Sequence, residues 1–436
     1  MEPRESKSPQ WHVRGRLSPP AWRWRAGGGA FAAACLTAIA GCSGGIGCGD
    51  SGVGPCGNPP PPMSFSLGIA VADFNGDGLA DVVASYSTGA NNPGNLELYL
   101  HDTAGGANYQ APVATADSVY WSLVFAGDVN GDGLPDIVSS NQWTGVVSVF
   151  LNEPGHPGTF ALPARLPTRG AANVAIADMD GDGVADLVVA DSQTSLILQN
   201  AGSPGSFAAP VALYPAGAAW VAVGDLNGDG LPDVALVDSV GVKVLFHEPP
   251  ATGTAFGAPV AVWTQSTNAS VSGGNVVAIG DLDGDGLADL VITDPGPTGG
   301  ESFLAVRLQD RTHPGNFLAA VTYPLSGGGG GGVSVVIADL NGDGRPDIVV
   351  GGIQTVSVIL QDPAHRGSFL APRNYAAPNG ADAVAVADVD GDGRPDIVLN
   401  GGATTSTVDG VITGPPGVLL QVPGNPGAFA AVRDLR

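Results

Sequence analysis

Apolar residues come along this chain in short runs, paired around a polar stretch of nine residues. Ile69–Ala72 leads into Asp73–Asp81, and Val82–Ala84 resumes the apolar character. The layout recurs with polar stretches that begin at Asp128, Asp178, Asp225, Asp281, Asp339 and Asp388, at intervals of 47 to 58 residues. Four residues before each stretch stands Val or Ile, and directly before it Ala or Gly. β-Branched residues favour strands. The small residues predict a place where backbones crowd, such as the narrow inner edge of a blade. After each polar stretch the chain is apolar at successive positions, as in Ile137–Val138 and Ile348–Val350. Without alternation, this second strand is expected to be buried on both faces. A third strand follows, as in Leu96–Asp102, Val146–Glu153 and Thr355–Asp362. Turn residues then lead to a fourth strand around an aromatic: Tyr109, Phe160, Phe207, Phe256, Phe317, Phe369 or Phe429. An aromatic at a constant place beside a turn predicts packing of one blade on the next.

Four short strands in each of seven units predict an all-β fold, a seven-bladed β-propeller of four-stranded antiparallel blades over residues 63–436. One such unit cannot bury both its faces, whereas a ring of seven can. A β-solenoid is the alternative, but its repeats are much shorter. Each unit holds its own fourth strand, the last at Phe429. Met63–Leu67 has a weak outer-strand pattern and is expected to compete for, or extend, the edge of the last blade. The run Gly327–Gly332 is expected to be a surface loop between units five and six.

The polar stretch reads D-x-[DN]-G-D-G-x-x-D. Oxygen-bearing side chains stand at positions 1, 3, 5 and 9, and glycines at 4 and 6. Ca²⁺ takes six to eight oxygen ligands, and a tight loop wraps one ion if alternate side chains and one carbonyl turn inward. The glycine at position 6 allows the sharp turn, as in the EF-hand loop. Mg²⁺ suits this set less, because it demands octahedral geometry and keeps its waters. The competing reading is an Asx-type turn that holds no ion.

These repeats resemble the FG-GAP/VCBS family, whose best-known members are the propellers of integrin α-subunits. The resemblance implies a Ca²⁺ in each loop, between the first and second strands of a blade. It implies the ligands Asp73, Asn75, Asp77 and Asp81 with the Leu79 carbonyl in the first unit, and Asp128, Asn130, Asp132 and Asp136 with Leu134 in the second. The third carries Asp178, Asp180, Asp182 and Asp186 with Val184, and the fourth Asp225, Asn227, Asp229 and Asp233 with Leu231. The fifth carries Asp281, Asp283, Asp285 and Asp289 with Leu287. The sixth carries Asp339, Asn341, Asp343 and Asp347 with Arg345, and the seventh Asp388, Asp390, Asp392 and Asp396 with Arg394. Integrins keep such loops in only some blades, whereas all seven are complete here.

Charge supports the ions. The formal net charge is −24, and four loops hold three aspartates while three hold four. So acidic a surface excludes a basic nucleic-acid-binding face. Affinity for Ca²⁺ is expected to be weak, on the order of 10⁻⁴–10⁻³ M as in extracellular modules.

Ahead of the repeats, Arg14, Arg16, Arg23 and Arg25 precede the apolar run Ala26–Ala40. A basic region, an apolar core and small residues describe a secretory signal. Ile39-Ala40-Gly41-Cys42 resembles a bacterial lipobox, so residues 1–41 are expected to be removed and Cys42 lipidated. An ordinary signal peptide or a single membrane helix are the alternatives. Residues 42–62 read as a Gly/Pro-rich tether, where Cys48 and Cys56 could pair after export. The chain is thus expected to be held in the cell envelope through a lipid anchor alone.

Within residues 63–436 no H-E-x-x-H or G-x-S-x-G motif occurs, and the five histidines there fall in or beside turns on the expected outer rim. The expectation is therefore a non-enzymatic protein, although propellers also host hydrolases and lyases. Trp121, Trp220 and Trp263 lie before or between expected inner strands, and Trp143 follows a second strand. They suit packing between blades, or stacking on sugar if exposed. Two functions stand: an adhesion or protein-interaction scaffold, and a carbohydrate-binding, lectin-like propeller. The ligand is thus a protein or a glycan.

Overall fold

The computed structural model describes residues 68–86, 95–102, 108–114, 122–141, 144–248, 255–265, 275–296, 301–325, 334–352, 354–401, 406–408, 411–413 and 416–435. The leader, the tether with its cysteines, Met63–Leu67, Gly327–Gly332, Trp121 and Trp143 lie outside the described residues.

Seven antiparallel sheets of four strands form the blades of a propeller, each built from one stretch of chain. In blade 2 the strands are Ser122–Gly127, Asp136–Asn141, Val146–Phe150 and Ala164–Pro167. No helix occurs among the described residues. Second strands are buried along their whole length, as in Asp136–Asn141, Asp233–Val237 and Asp347–Gly351. Their unbroken apolar character reflects a blade packed on both sides. Outer strands such as Ala164–Pro167 alternate between half-buried and exposed.

First strands of successive blades pack side by side around the ring. The small residue before each loop has its reason there. A Cβ on Gly224 would lie 2.9 Å from Ile279 of the next blade, and one on Gly280 would lie 3.2 Å from Ile337. The first strand of blade 1, Ile69–Ala72, touches both Ser122–Gly127 of blade 2 and Val384–Ala387 of blade 7. Ile69, Val82 and Ala84 share one apolar cluster with Ala383, Val398 and Leu435. The ring therefore closes by packing blade 1 on blade 7. Blade 7 completes itself with Arg433–Asp434, which pairs with Gly417–Leu419.

Two features differ from the sequence reading. The fourth strand lies beyond the aromatic that was expected to mark it. Phe160 makes only an isolated bridge to Asn152, and the strand proper begins at Ala164. Three of the aromatics make ring contacts between blades. The rings of Phe160, Phe369 and Phe429 meet Phe74, Tyr323 and Tyr375 of the preceding blade edge-on, at centroid distances of 5.8, 6.0 and 5.8 Å. A side chain committed to that contact cannot also lie on the exposed outer strand. Blade 7 also carries an inserted hairpin, Ser406–Val408 with Val411–Thr413, which the strand pattern did not mark.

Candidate metal centres

Each polar stretch joins the first strand of a blade to the second, as the pattern predicts. Its glycines are there for conformation. Gly131 and Gly133 have φ of 76° and 88°, and a Cβ on Gly133 would meet nothing within 4 Å. Space is available, but L-residues are strained in that backbone region. The corresponding glycines of the other six loops share it.

The turn gathers backbone N–H groups onto its carboxylates. In blade 2, Asp128 Oδ1 accepts from Gly131 N at 2.8 Å and Asp132 N at 3.1 Å, while Oδ2 accepts from Gly133 N at 2.9 Å. Asp132 Oδ1 accepts from Leu134 N at 2.9 Å. The equivalent bonds recur around the ring, for example at Asp388 and Asp392. The Asx-type turn is therefore present, and it holds the acidic oxygens in the loop.

The aspartate at position 9 is placed differently. Asp81, Asp136, Asp186, Asp233, Asp289, Asp347 and Asp396 are at most 1% exposed. In every blade, one oxygen accepts the N–H of the position-2 residue at 2.8–3.1 Å. The other accepts a backbone N–H just beyond the third strand at 2.7–2.8 Å. Burial raises these carboxyls to about 6, and to about 7 at Asp289, against the lowering effect of the backbone bonds.

These oxygens fit a hard cation. Carboxylate oxygens of Asp178, Asp180 and Asp186 lie within 4.8 Å of one another, as do those of Asp388, Asp390 and Asp396. Positions 1, 3 and 9 are thus brought together in blades 3 and 7. In blade 5 the grouping is Asp281, Asp283 and Asp285, positions 1, 3 and 5. A guanidinium stands in for a cation there: Arg311 reaches Asp285 at 2.5 Å and Asp283 at 3.2 Å. Arg394 pairs with Asp392 in blade 7. Among the described residues, no basic side chain pairs with the loop carboxylates of blades 1–4 and 6. The donor set is oxygen throughout, the preference of Ca²⁺. A bound Ca²⁺ would supply the positive charge that these loops lack and cross-link the start of each second strand to its turn.

Two sets of residues escaped the sequence reading. The first is position 2: Phe74, Val129, Met179, Leu226, Leu282, Leu340 and Val389 are completely buried. An apolar residue in an otherwise polar loop was the available signal. The second set follows the third strand: His101, Asn152, Gln199, His247, Gln309, Gln361 and Gln421. Each stands eight residues before the conserved-spacing aromatic, or nine in blade 4. These supply the N–H that meets position 9. Five of their side chains also cross to the preceding blade around the ring, where they meet the position-2 carbonyl. Gln421 reaches Leu340 O at 2.6 Å, Gln361 reaches Leu282 O at 2.7 Å, Gln199 reaches Val129 O at 2.7 Å and Asn152 reaches Phe74 O at 2.8 Å. His101 Nε2 lies 3.1 Å from Val389 O and so bridges blades 1 and 7. This corrects the expectation that His101 and His247 are rim turn residues; they are 1% and 2% exposed. His156, His313 and His365 are exposed turn residues as expected.

The described tryptophans are both tied to packing. Trp220 opens the first strand of blade 4, is 5% exposed, and donates from Nε1 to Val277 O of blade 5 at 2.9 Å. Trp263 was expected near an inner strand but lies on the fourth strand, Val260–Thr264, and donates to Asp294 Oδ2 at 3.0 Å.

Comparison with known proteins agrees with this architecture. The human integrin alpha-7 is 27% identical over 149 residues, which are 31% of this chain and 13% of that protein's length. A lectin of Agrocybe aegerita, solved for its specific recognition of non-reducing terminal N-acetylglucosamine, superposes with a TM-score of 0.54 at 21% identity, covering 86% of this chain and 93% of the lectin. The V. cholerae biofilm matrix protein Bap1 gives a TM-score of 0.42 at 12% identity, over 86% of this chain and 90% of that one. The FG-GAP-like repeat matches residues 73–139, 128–189, 178–236, 225–292, 281–350 and 339–399. Each match runs from one loop through the next. The chain belongs to the FG-GAP-like repeat family.

Proposed function

We propose that this chain is an exported, calcium-stabilised binding scaffold for adhesion or protein interaction, held in the bacterial cell envelope by a lipid on Cys42. One observation carries the calcium reading: seven oxygen-only loops occupy the same place in seven blades, most without a compensating cation. The role assigned to the ions is structural. The anchor rests on the lipobox-like Ile39–Cys42 alone. Chelation is expected to lower the melting temperature markedly and to release up to seven Ca²⁺ per chain by elemental analysis. An unchanged melt with no metal found would remove the calcium reading. Mass spectrometry of the protein isolated from membranes should find a lipid on Cys42, and a soluble product of Cys42→Ala.

Glycan binding is the second reading, supported by the fold shared with the Agrocybe lectin across most of both chains. Fold alone does not assign a ligand, and Trp220 and Trp263 are engaged in packing. A glycan array run with Ca²⁺ and with chelator separates the readings. Saturable sugar binding favours the lectin, and its absence leaves the protein-binding scaffold.

A further inference from the structure

Asp382 stands at the opposite end of its inner strand from the blade 7 loop, six residues before Asp388. It is 6% exposed, and Oδ1 has no hydrogen-bond partner among the described residues. An isolated carboxylate in such a place is unfavourable unless a proton or a cation joins it. Burial alone raises its pKa to about 8.

The blade itself does not require an acid there. The equivalent place, six residues before the loop, holds Ala172 in blade 3, Ala219 in blade 4 and Asn275 in blade 5. The surroundings in blade 7 are oxygen-rich. A Cβ on Gly380 would lie 3.6 Å from Asp382 Oδ2 and 3.9 Å from Asn400 Oδ1, so both oxygens border the space beside that glycine. A Cβ on Gly401 would lie 2.4 Å from Asn379 O and 2.6 Å from Gly380 O. The segment is wedged between blades: Ala381 N donates to Gly352 O of blade 6 at 3.2 Å, and Gly351 leaves the room that lets Ala381 approach. Apolar residues on either side, Ala381 and Ala383, are fully buried. A small ion fits such a place better than a sugar or a peptide.

We infer that Asp382, with Asn400 and the neighbouring main-chain carbonyls, forms a cation site at the blade 6–blade 7 junction, on the face away from the seven loops. Its ligand is one hard cation, Na⁺ or Ca²⁺. The site is separate from the loops and does not depend on their calcium.

The test compares wild type, Asp382→Asn and the loop variant Asp128→Ala. Melts are recorded in choline chloride, NaCl and CaCl₂, and bound Ca²⁺ is counted after desalting. If Ca²⁺ is the ligand, Asp382→Asn binds one ion fewer than wild type and loses part of the CaCl₂ shift. If Na⁺ is the ligand, the Ca²⁺ count is unchanged, and the stabilisation by NaCl over choline disappears in Asp382→Asn alone. Asp128→Ala should retain either signature while losing its own loop ion. Should Asp382→Asn fail to fold, wild-type crystals grown with Tl⁺ or Tb³⁺ should show an anomalous peak beside Asp382. The inference is overturned if Asp382→Asn matches wild type in ion count and in every salt, or if the crystals show no peak there. Either result would leave a buried acid that simply keeps its proton.

Discussion

At the residue scale, the loop glycines and the position-9 aspartates have distinct physical duties. Gly133→Ala introduces a Cβ into open space but strains a backbone at φ 88°, at a cost of about 1–2 kcal/mol. Gly155→Ala, where a Cβ also meets nothing within 4 Å and φ is not positive, is the matched control and should leave the denaturation midpoint unchanged. Equal effects from the two would show that conformation is not why the loop keeps glycine. The aspartates give a pH signature in metal-free protein. Their folded pKa values of about 6 to 7 lie above the unfolded value of 3.8, so the folded state holds protons more tightly. The associated stability is present below pH about 4 and is lost as pH rises through 6 to 7. Ca²⁺ requires the ionised form, so its stabilisation grows over the same window. Calorimetry with chelator should therefore show a falling melting temperature from about pH 4.5 to 7.5, and with Ca²⁺ a flat or rising one. Parallel curves would refute the coupling.

At the scale of elements, the loops are linked to one another. The backbone N–H of the residue after each third strand holds position 9 of its own loop, and in five blades its side chain holds the preceding loop. Five such crossings join neighbouring blades, and that of His101 to Val389 spans the first and last. Gln421→Leu keeps similar bulk but leaves the buried Leu340 carbonyl without that donor, a loss of about 1–3 kcal/mol. His101→Leu should cost a similar amount. Its particular mark is faster hydrogen exchange in Ile69–Ala72 and Val384–Ala387, the two inner strands at the junction it spans. Exchange unchanged in both strands would show that core packing alone keeps the ring shut. These crossings were hidden in the sequence because their partners lie 70 to 81 residues apart within the chain, and 288 apart at the closure. The strands themselves were legible, since successive apolar positions need only local reading.

At the scale of the molecule, the inner strand of each blade packs on those of its two neighbours in a closed ring, and five loops are also tied to the following blade. Disabling one loop should therefore lower the stability of the whole. The pair Asp178→Asn and Asp180→Asn, in blade 3, is expected to reduce the calorimetric melting temperature within one cooperative transition. A new low-temperature transition, with the remaining blades melting as before, would instead indicate independent units, as in open repeat arrays. The closure supports the cooperative outcome, because Ile69, Val82 and Ala84 bury themselves on the last blade rather than facing solvent.

The number of blades, the order of their strands and the composition of every loop were settled by local sequence. A nine-residue turn and a β-branched run state their conformation through residues adjacent in the chain. Tertiary structure alone decided that position 9 is buried and braced by two N–H groups, and that His101 is a closing strut. It alone moved the outer strand past Phe160 and left Asp382 Oδ1 without a partner among the described residues. Each of these depends on which blade lies beside which, and that proximity arises only when the ring closes.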